Sequence, residues 1–500
     1  MPPPTPSSSA VRGAAVAASA LALLGACGTV SPSLYVSSRT APPRDVAREV
    51  GAPAPAAPPQ PQPQAPEPVP APRSLADLVD LALAREPATR ATWHDARAAA
   101  AQAGSQRSLY WPSLEATASL LRQRSGGGPN RASSTSTTAG ASASLTWLLL
   151  DLGARGALVD AADRLLVAAR LAEHAAVADL VLQVQQTYFQ YLGARALAEA
   201  EKTSVRQAET SLAAAEARRQ AGLATIADVL QARTALSQVQ LVLQQAEGQA
   251  LALRGALATL AGLSPTAELE VGALPAEVDT ARARPTVDEL LALAAARNPD
   301  VARARALADA ADARARAASR AAWPTLSFQA SAGRTHYLAP EGLDPTTSWS
   351  AGLVLRVPMF EGLGPAYDAL AARATADAAR ARADAAGQRV ALDVWTSYQG
   401  LSSAGRRLET SRDLLASARA SSDVARGRYQ EGVGSILDLL NAQSALETAQ
   451  AENVRARSDY LVALAQLTRA SGRLDLPAAA PAAPAPSDPQ VAPPALEGTP

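Results

Sequence analysis

Along this 500-residue chain the spacing of apolar and polar positions switches between two periods, and the whole sequence of switches occurs twice. After Pro112, the apolar residues Leu114, Ala116, Ala118 and Leu120 alternate with Ser113, Glu115, Thr117 and Ser119. Alternation resumes with Ala141, Ala143, Leu145, Trp147 and Leu149. A period of two sends every second side chain to one face of a strand. Residues 122–137 between the two runs are rich in Gly, Ser, Asn and Thr and read as a loop. The segment therefore predicts a β-hairpin. A second hairpin follows from Leu326, Phe328 and Ala330, a loop at 333–347, and Trp349, Ala351, Leu353, Leu355 and Val357.

Outside the hairpins the spacing is helical. Leu158, Ala162, Leu165, Ala169, Ala172, Ala176 and Leu180 recur every three or four residues, as in the seam of packed helices. No proline occurs from Asn130 to Ser264 or from Ala366 to Leu476. One helix over Arg155 to Gln220 would be about 100 Å long at the α-helical rise. Residues 221–225 (AGLAT) interrupt it, and Ile226, Val229, Ala232, Leu236, Val239, Leu243 and Ala246 begin a return helix. Residues 431–435 (EGVGS) turn the second copy in the same way.

The two halves are a tandem duplication. Pro87 and Pro299 lie 212 residues apart, as do Trp111-Pro112 and Trp323-Pro324. Asp151 and Glu361, Tyr188 and Tyr398, Gly222 and Gly432, and Asp228 and Asp438 are each 210 apart. The two-residue change falls within the hairpin, where a loop absorbs it. Matched landmarks at a fixed period mark repeated structural units.

Composition narrows the function. Apolar residues make up 48% of the chain but aromatic ones only 4%, which suits long, closely spaced helices better than a globular enzyme core. The 46 basic and 46 acidic side chains balance, and no basic stripe interleaved with aromatics supports nucleic-acid binding. The three histidines, His94, His174 and His336, are scattered without ligand spacing. Gly126-Gly127-Gly128 runs into Pro129 rather than a helix start, so it cradles no phosphate. No catalytic residues, metal site or cofactor are expected.

The single cysteine fits the N-terminus. Arg12, an apolar run and Leu23-Leu24-Gly25-Ala26-Cys27 read as a secretory signal. The last residues resemble a bacterial lipobox, which implies cleavage before Cys27 and lipidation of its sulfur; a plain signal peptide is the other reading. No later segment has the roughly 18 consecutive apolar residues of a spanning helix, so any membrane crossing must use strands. The expected organisation is a signal peptide at 1–26 and a lipidated Pro-rich linker at 27–73. Repeat 1 follows at 74–284, repeat 2 at 285–476, and a disordered Pro/Ala tail at 477–500.

Four strands cannot close a membrane barrel, and an open sheet in lipid leaves backbone groups unpaired. Three copies supply twelve strands, an even and closable number. Here a family resemblance becomes specific. Residues 297–299 (RNP), 323–326 (WPTL), 358–362 (PMFEG), 428–432 (RYQEG) and 436–440 (ILDLL), in that order and duplicated, resemble the TolC-type outer-membrane factors over roughly residues 74–476. The resemblance implies a mainly α chain with a small transmembrane β part: a tandem-duplicated subunit of a trimeric α-helical barrel plus a 12-stranded β-barrel. It implies a homotrimer in the outer membrane that meets a periplasmic adaptor and an inner-membrane pump, serving efflux or type I secretion.

The same resemblance suggests residue roles. Asp438 and Asp228 match acidic residues that line the periplasmic end, where a ring of carboxylates favours cations. Asn441 stands where some members carry a second aspartate. Tyr429 matches a latch tyrosine that engages the neighbouring hairpin, here through Asp228, and Gly434 stands where the family often has a latch arginine. Gly222, Leu223, Gly432 and Val433 form the tips that would contact the adaptor. Trp111, Trp147, Trp323 and Trp349 fall in or beside strands and suit an interfacial girdle, or packing under the barrel. The aspartates also suit ordinary first-turn positions that complement the helix dipole. The competing reading is a lipid-anchored periplasmic coiled-coil adaptor or scaffold, which does not account for two matched hairpins.

Overall fold

The computed structural model describes residues 73–127, 133–278, 285–339 and 343–473. Cys27, the signal segment and the C-terminal Pro/Ala stretch lie outside these residues. Each repeat opens with two short helices. In the first, α1 (Leu75–Arg85) starts at a capping box in which Ser74 and Asp77 satisfy each other's backbone N–H groups. It ends where Glu86 turns extended before Pro87, the first residue of α2 (Pro87–Arg107). The second repeat does the same with α5 (Val287–Arg297), capped by Thr286 and Glu289, and α6 (Pro299–Arg320), which begins with Pro299.

Four antiparallel strands form one sheet in the order β1 (Ser113–Ser125), β2 (Ser134–Leu150), β3 (Thr325–Ala339) and β4 (Thr346–Arg356). The hairpins are longer than the sequence expectation: residues 122–125, 134–137, 333–339 and 346–347 are strand rather than loop. Their Ser, Thr and Gly side chains gave no apolar alternation to read, yet small and β-branched residues pair readily.

Each β-hairpin leads into a helix of 67 residues, α3 (Ala154–Gln220) and α7 (Gly364–Gln430). Each long helix turns back into a 35-residue one, α4 (Ile226–Leu260) and α8 (Ile436–Ala470). At the usual rise, the long helices reach about 100 Å from the sheet. Packing runs α3 on α4, α7 on α8 and α3 on α8, while α6 lies against both α3 and α7. The expected seam of α3 is partly displaced: Ala162 and Leu180 are buried, but Leu158 is exposed. Buried positions instead include Ala157, Ala161, Leu166 and Ala168, because neighbours cover the helix from more than one side.

The largest core sits halfway along the helices. There Val184, Tyr188, Leu192, Val394, Leu401 and Leu461 meet α1, α5 and the segment carrying Leu269, Val271 and Leu274. Smaller clusters follow toward the tips: Ala215, Val229 and Ala232 in one hairpin, Ala418, Leu446 and Ala449 in the other. Near the sheet, side chains exposed by about a quarter to a little over half tie α6 to both long helices through Arg316–Asp160 (2.6 Å) and Arg380–Asp312 (2.6 Å). Such exposed pairs contribute little individually. No helix among the described residues is long and apolar enough to cross a membrane.

Candidate functional site

The sheet separates its side chains by chemistry. Paired residues of antiparallel strands share a face, so the register sorts them directly. One face carries the rows Leu114–Leu145–Ala330–Ala351 and Ala116–Ala143–Ala332–Trp349. The other carries Glu115–Ser144–Ser331–Ser350 and Thr117–Ser142–Gly333–Ser348, with a hydrogen bond of 2.9 Å between the Ser331 and Ser350 hydroxyls. Strand β1 and strand β4 are solvent-exposed throughout, and each has one unpaired edge. Trp349 is 80% exposed on the apolar face, toward the end of the sheet away from the helices. Trp111, Trp147 and Trp323 are exposed near the opposite end, where the Trp147 indole N–H donates to the Tyr110 carbonyl at 2.9 Å.

The strand-to-helix junction of repeat 1 is welded by one arginine. Buried Arg155 donates to the carbonyls of Leu109, Leu148 and Leu149, lies 3.3 Å from the Asp151 carboxylate, and covers the Tyr110 ring. Asp151 also accepts from the Arg155 backbone N–H. Repeat 2 has no such weld at the matching place: Glu361 pairs loosely with Arg356 at 3.5 Å, and Met359 and Phe360 are exposed.

The opposite pole holds the two helical tips. Gly222 and Gly432 take φ of +76° and +78°, which closes each long helix and reverses the chain. Leu223 N–H donates to Arg218 C=O and Val433 N–H to Arg428 C=O, the hydrogen bonds of a Schellman cap. Leu223 and Val433 are left about 70% exposed at the extremities (71% and 69%). Each return helix then starts with a capping box. The Asp228 carboxylate accepts from Thr225 N–H at 2.7 Å, and that of Asp438 from Ser435 N–H at 3.4 Å. Asp438 and Asn441 are exposed, one helical turn apart, whereas Asp228 is half-buried.

The tips are not equivalent. In hairpin 2, Tyr429, Ile436 and Leu439 are buried together against Ala214 of hairpin 1. The matching Ile226 in hairpin 1 is 52% exposed. Tyr429 and Asp228 come close enough for the carboxylate charge to act on the phenol. Burial pushes the phenol upward, Arg218 opposes that, and Asp228 adds to it. The Tyr429 hydroxyl nevertheless has no hydrogen-bond partner among the described residues. Arg218 joins the hairpins at this point: its guanidinium donates to the Tyr429 backbone carbonyl and stacks 4.8 Å from the ring centroid. Sequence reading missed Arg218, because an arginine in the last turn of a helix already has a local explanation in the dipole.

A second contact between hairpins was equally invisible. Glu201 of α3 is 2% exposed and faces Glu447 and Arg455 of α8. Burial first, then the Glu447 charge, raises its carboxyl to about 7 against the pull of Arg455. Glu447 is itself raised by burial. Among the described residues, no group of three or more His, Cys, Asp or Glu side chains is placed to hold a metal.

Comparison with known proteins agrees with this architecture. The family model described as outer membrane efflux protein matches residues 78–263 and 290–473, one copy per repeat. Protein CyaE of Bordetella pertussis is 32% identical over 409 residues, covering 80% of this chain and 84% of its own. Outer membrane protein OprJ of Pseudomonas aeruginosa is 30% identical over 408 residues, with the same shares. Among solved structures, the outer-membrane channel OprN superposes with a TM-score of 0.73 at 23% identity, over 80% of this chain and 89% of its own.

Proposed function

The chain belongs to the outer membrane efflux protein family, and from that premise we propose that three copies form a passive exit duct through the outer membrane. The observation that carries this is the sheet: an apolar face, a polar face and two unpaired edges. A lone sheet of this kind is unstable in lipid, and closure with further copies satisfies both edges. Three chains give twelve strands, with the apolar rows toward lipid and the Ser/Thr/Gly rows lining the lumen. The adaptor or scaffold alternative is set aside, since the family match spans both hairpins.

The helices then continue the duct into the periplasm, where an adaptor and an inner-membrane pump complete a tripartite efflux or type I secretion assembly. The exposed tips at Gly222-Leu223 and Gly432-Val433 are the surfaces offered to the adaptor. Tyr429, Asp228, Asp438 and Asn441 act as the gate, with Arg218 clasping one hairpin to the other. Exposure of Asp438 and Asn441 on one helical face supports a carboxylate-rich ring at the closed end. Cys27, preceded by Leu23-Leu24-Gly25-Ala26, carries the lipid anchor, and the tryptophans mark the membrane interfaces.

Conductance across a planar bilayer tests the duct and its gate together. Purified trimer gives discrete cation-selective steps, and Asp438→Ala weakens selectivity and block by multivalent cations. A monomer that gives no steps rejects the duct; unchanged selectivity in Asp438→Ala removes that residue from the gate. Mass spectrometry of the mature N-terminus checks the anchor, which Cys27→Ser abolishes.

A further inference from the structure

The apolar face of the sheet does not stay apolar to its end. Beyond Leu114, Ala116, Ala118 and Leu120, the same face of β1 continues with Arg122 and Arg124. On β3, Arg334 pairs with Ala141 and His336 with Ala139, which are themselves opposite Ala118 and Leu120. Three guanidiniums and an imidazole thus share the outward face at the end away from the helices. All four residues are exposed. Glu115 is the one acidic residue in the four strands, and it lies on the opposite face. Asp344 stands on the loop that precedes β4.

We propose that Arg122, Arg124, Arg334 and His336 form a band that binds the phosphate groups of membrane lipid headgroups. The proposal rests on the reading that this face meets lipid. Successive residues on one face lie about 7 Å apart along a strand, which sets Arg122 and Arg124 just past the apolar rows. Arg334 stands one row inside that border, next to the row of exposed Trp349, and its long stem can lie along apolar surface while the head reaches outward. A planar guanidinium presents paired N–H donors that match phosphate oxygens. Lining the border of an apolar band, these cations meet headgroups rather than acyl chains. Three copies of the chain would repeat the band around the barrel.

The test is native mass spectrometry of the full-length protein taken from micelles of mixed phosphatidylglycerol and phosphatidylcholine. Wild type retains phosphatidylglycerol preferentially. The variant R122Q/R124Q/R334Q/H336Q loses that preference by about tenfold, as expected for removing several cations at a membrane surface, and still retains phosphatidylcholine. R122K/R124K/R334K keeps most of the preference and shows that the sheet still forms. Equal preference in the glutamine variant overturns the proposal. Displacement by millimolar inorganic phosphate also overturns it, since it marks a free-phosphate site. If neither protein retains lipid of any kind, the failure lies with the lipid-facing reading of the sheet, and the band falls with it.

Discussion

Gly193 of α3 lies against Ser458 of α8 so closely that a Cβ at position 193 would sit 2.8 Å from both the Cβ and the Oγ of the serine. The serine hydroxyl in turn donates to the Phe189 carbonyl at 2.9 Å. This contact fixes how near the two hairpins of one chain approach. Gly193→Ser alone should destabilise the fold by about 1–3 kcal/mol through overpacking. Adding Ser458→Gly should restore most of the loss, because the small and the larger residue have only changed places. Denaturation midpoints of the single and double variants check the cycle; equal loss in both would mean that contact distance is not what the glycine provides.

The duplication carries that contact to a second place. Ser403 stands 210 residues after Gly193, and Gly248 stands 210 before Ser458, so the second pair has the same two residue types exchanged. Within one chain, a Cβ added at Gly248 meets nothing within 4 Å. If α7 of one copy packs on α4 of the next as α3 packs on α8, Ser403 meets Gly248 across the subunit boundary. Gly248→Cys with Ser403→Cys, in a Cys27→Ser background, should therefore give covalent dimers and trimers on denaturing gels. Monomers cross-linked only within themselves would reject the proposed packing.

Stability should depend on pH through Glu201. Its carboxyl is raised from the ordinary value of 4.5 to about 7 in the folded chain. The ionised form is therefore disfavoured on folding, and stability declines as pH rises from about 4.5 to 7. Glu201→Gln should stabilise the protein above pH 7 by no more than about 3 kcal/mol, and hardly at all below pH 4.5. Thermal unfolding of both proteins across this range checks the sign; a variant less stable at pH 8 would show that the carboxylate is favourably paired there.

Arg218 and Tyr429 should respond differently to substitution. Arg218→Ala removes both the hydrogen bond to the carbonyl and the stacking, and should raise the open fraction of single-channel records severalfold. Tyr429→Phe keeps the carbonyl and the ring, loses only a hydroxyl with no partner among the described residues, and should change little. An Arg218→Ala channel that stays as closed as wild type would move the restraint elsewhere.

What could be read in the sequence was local. The hairpins, the first-turn places of Asp228 and Asp438, and the glycines of both tips follow from neighbours within a few residues. Repetition then made each local reading twice as secure. Pairs such as Arg218 with Tyr429, Glu201 with Glu447 and Gly193 with Ser458 stayed hidden because each joins residues from different repeats. The Ala-rich helices on which they lie are contacted from several sides, so no single stripe announces them. The strand ends were misjudged for a related reason: polar Ser and Thr rows look like loops until their partners across the sheet are known.

The hydrogen bond of the clasp at the tips is made to the main chain of residue 429, and only the stacking depends on its side chain. Every amino acid carries that carbonyl, so mutation at 429 can reshape the ring without erasing the bond. Position 218 has no such freedom. Over evolutionary drift this hydrogen bond should therefore persist through changes of the tyrosine and vanish with changes of the arginine, so that one codon decides whether the tips are clasped.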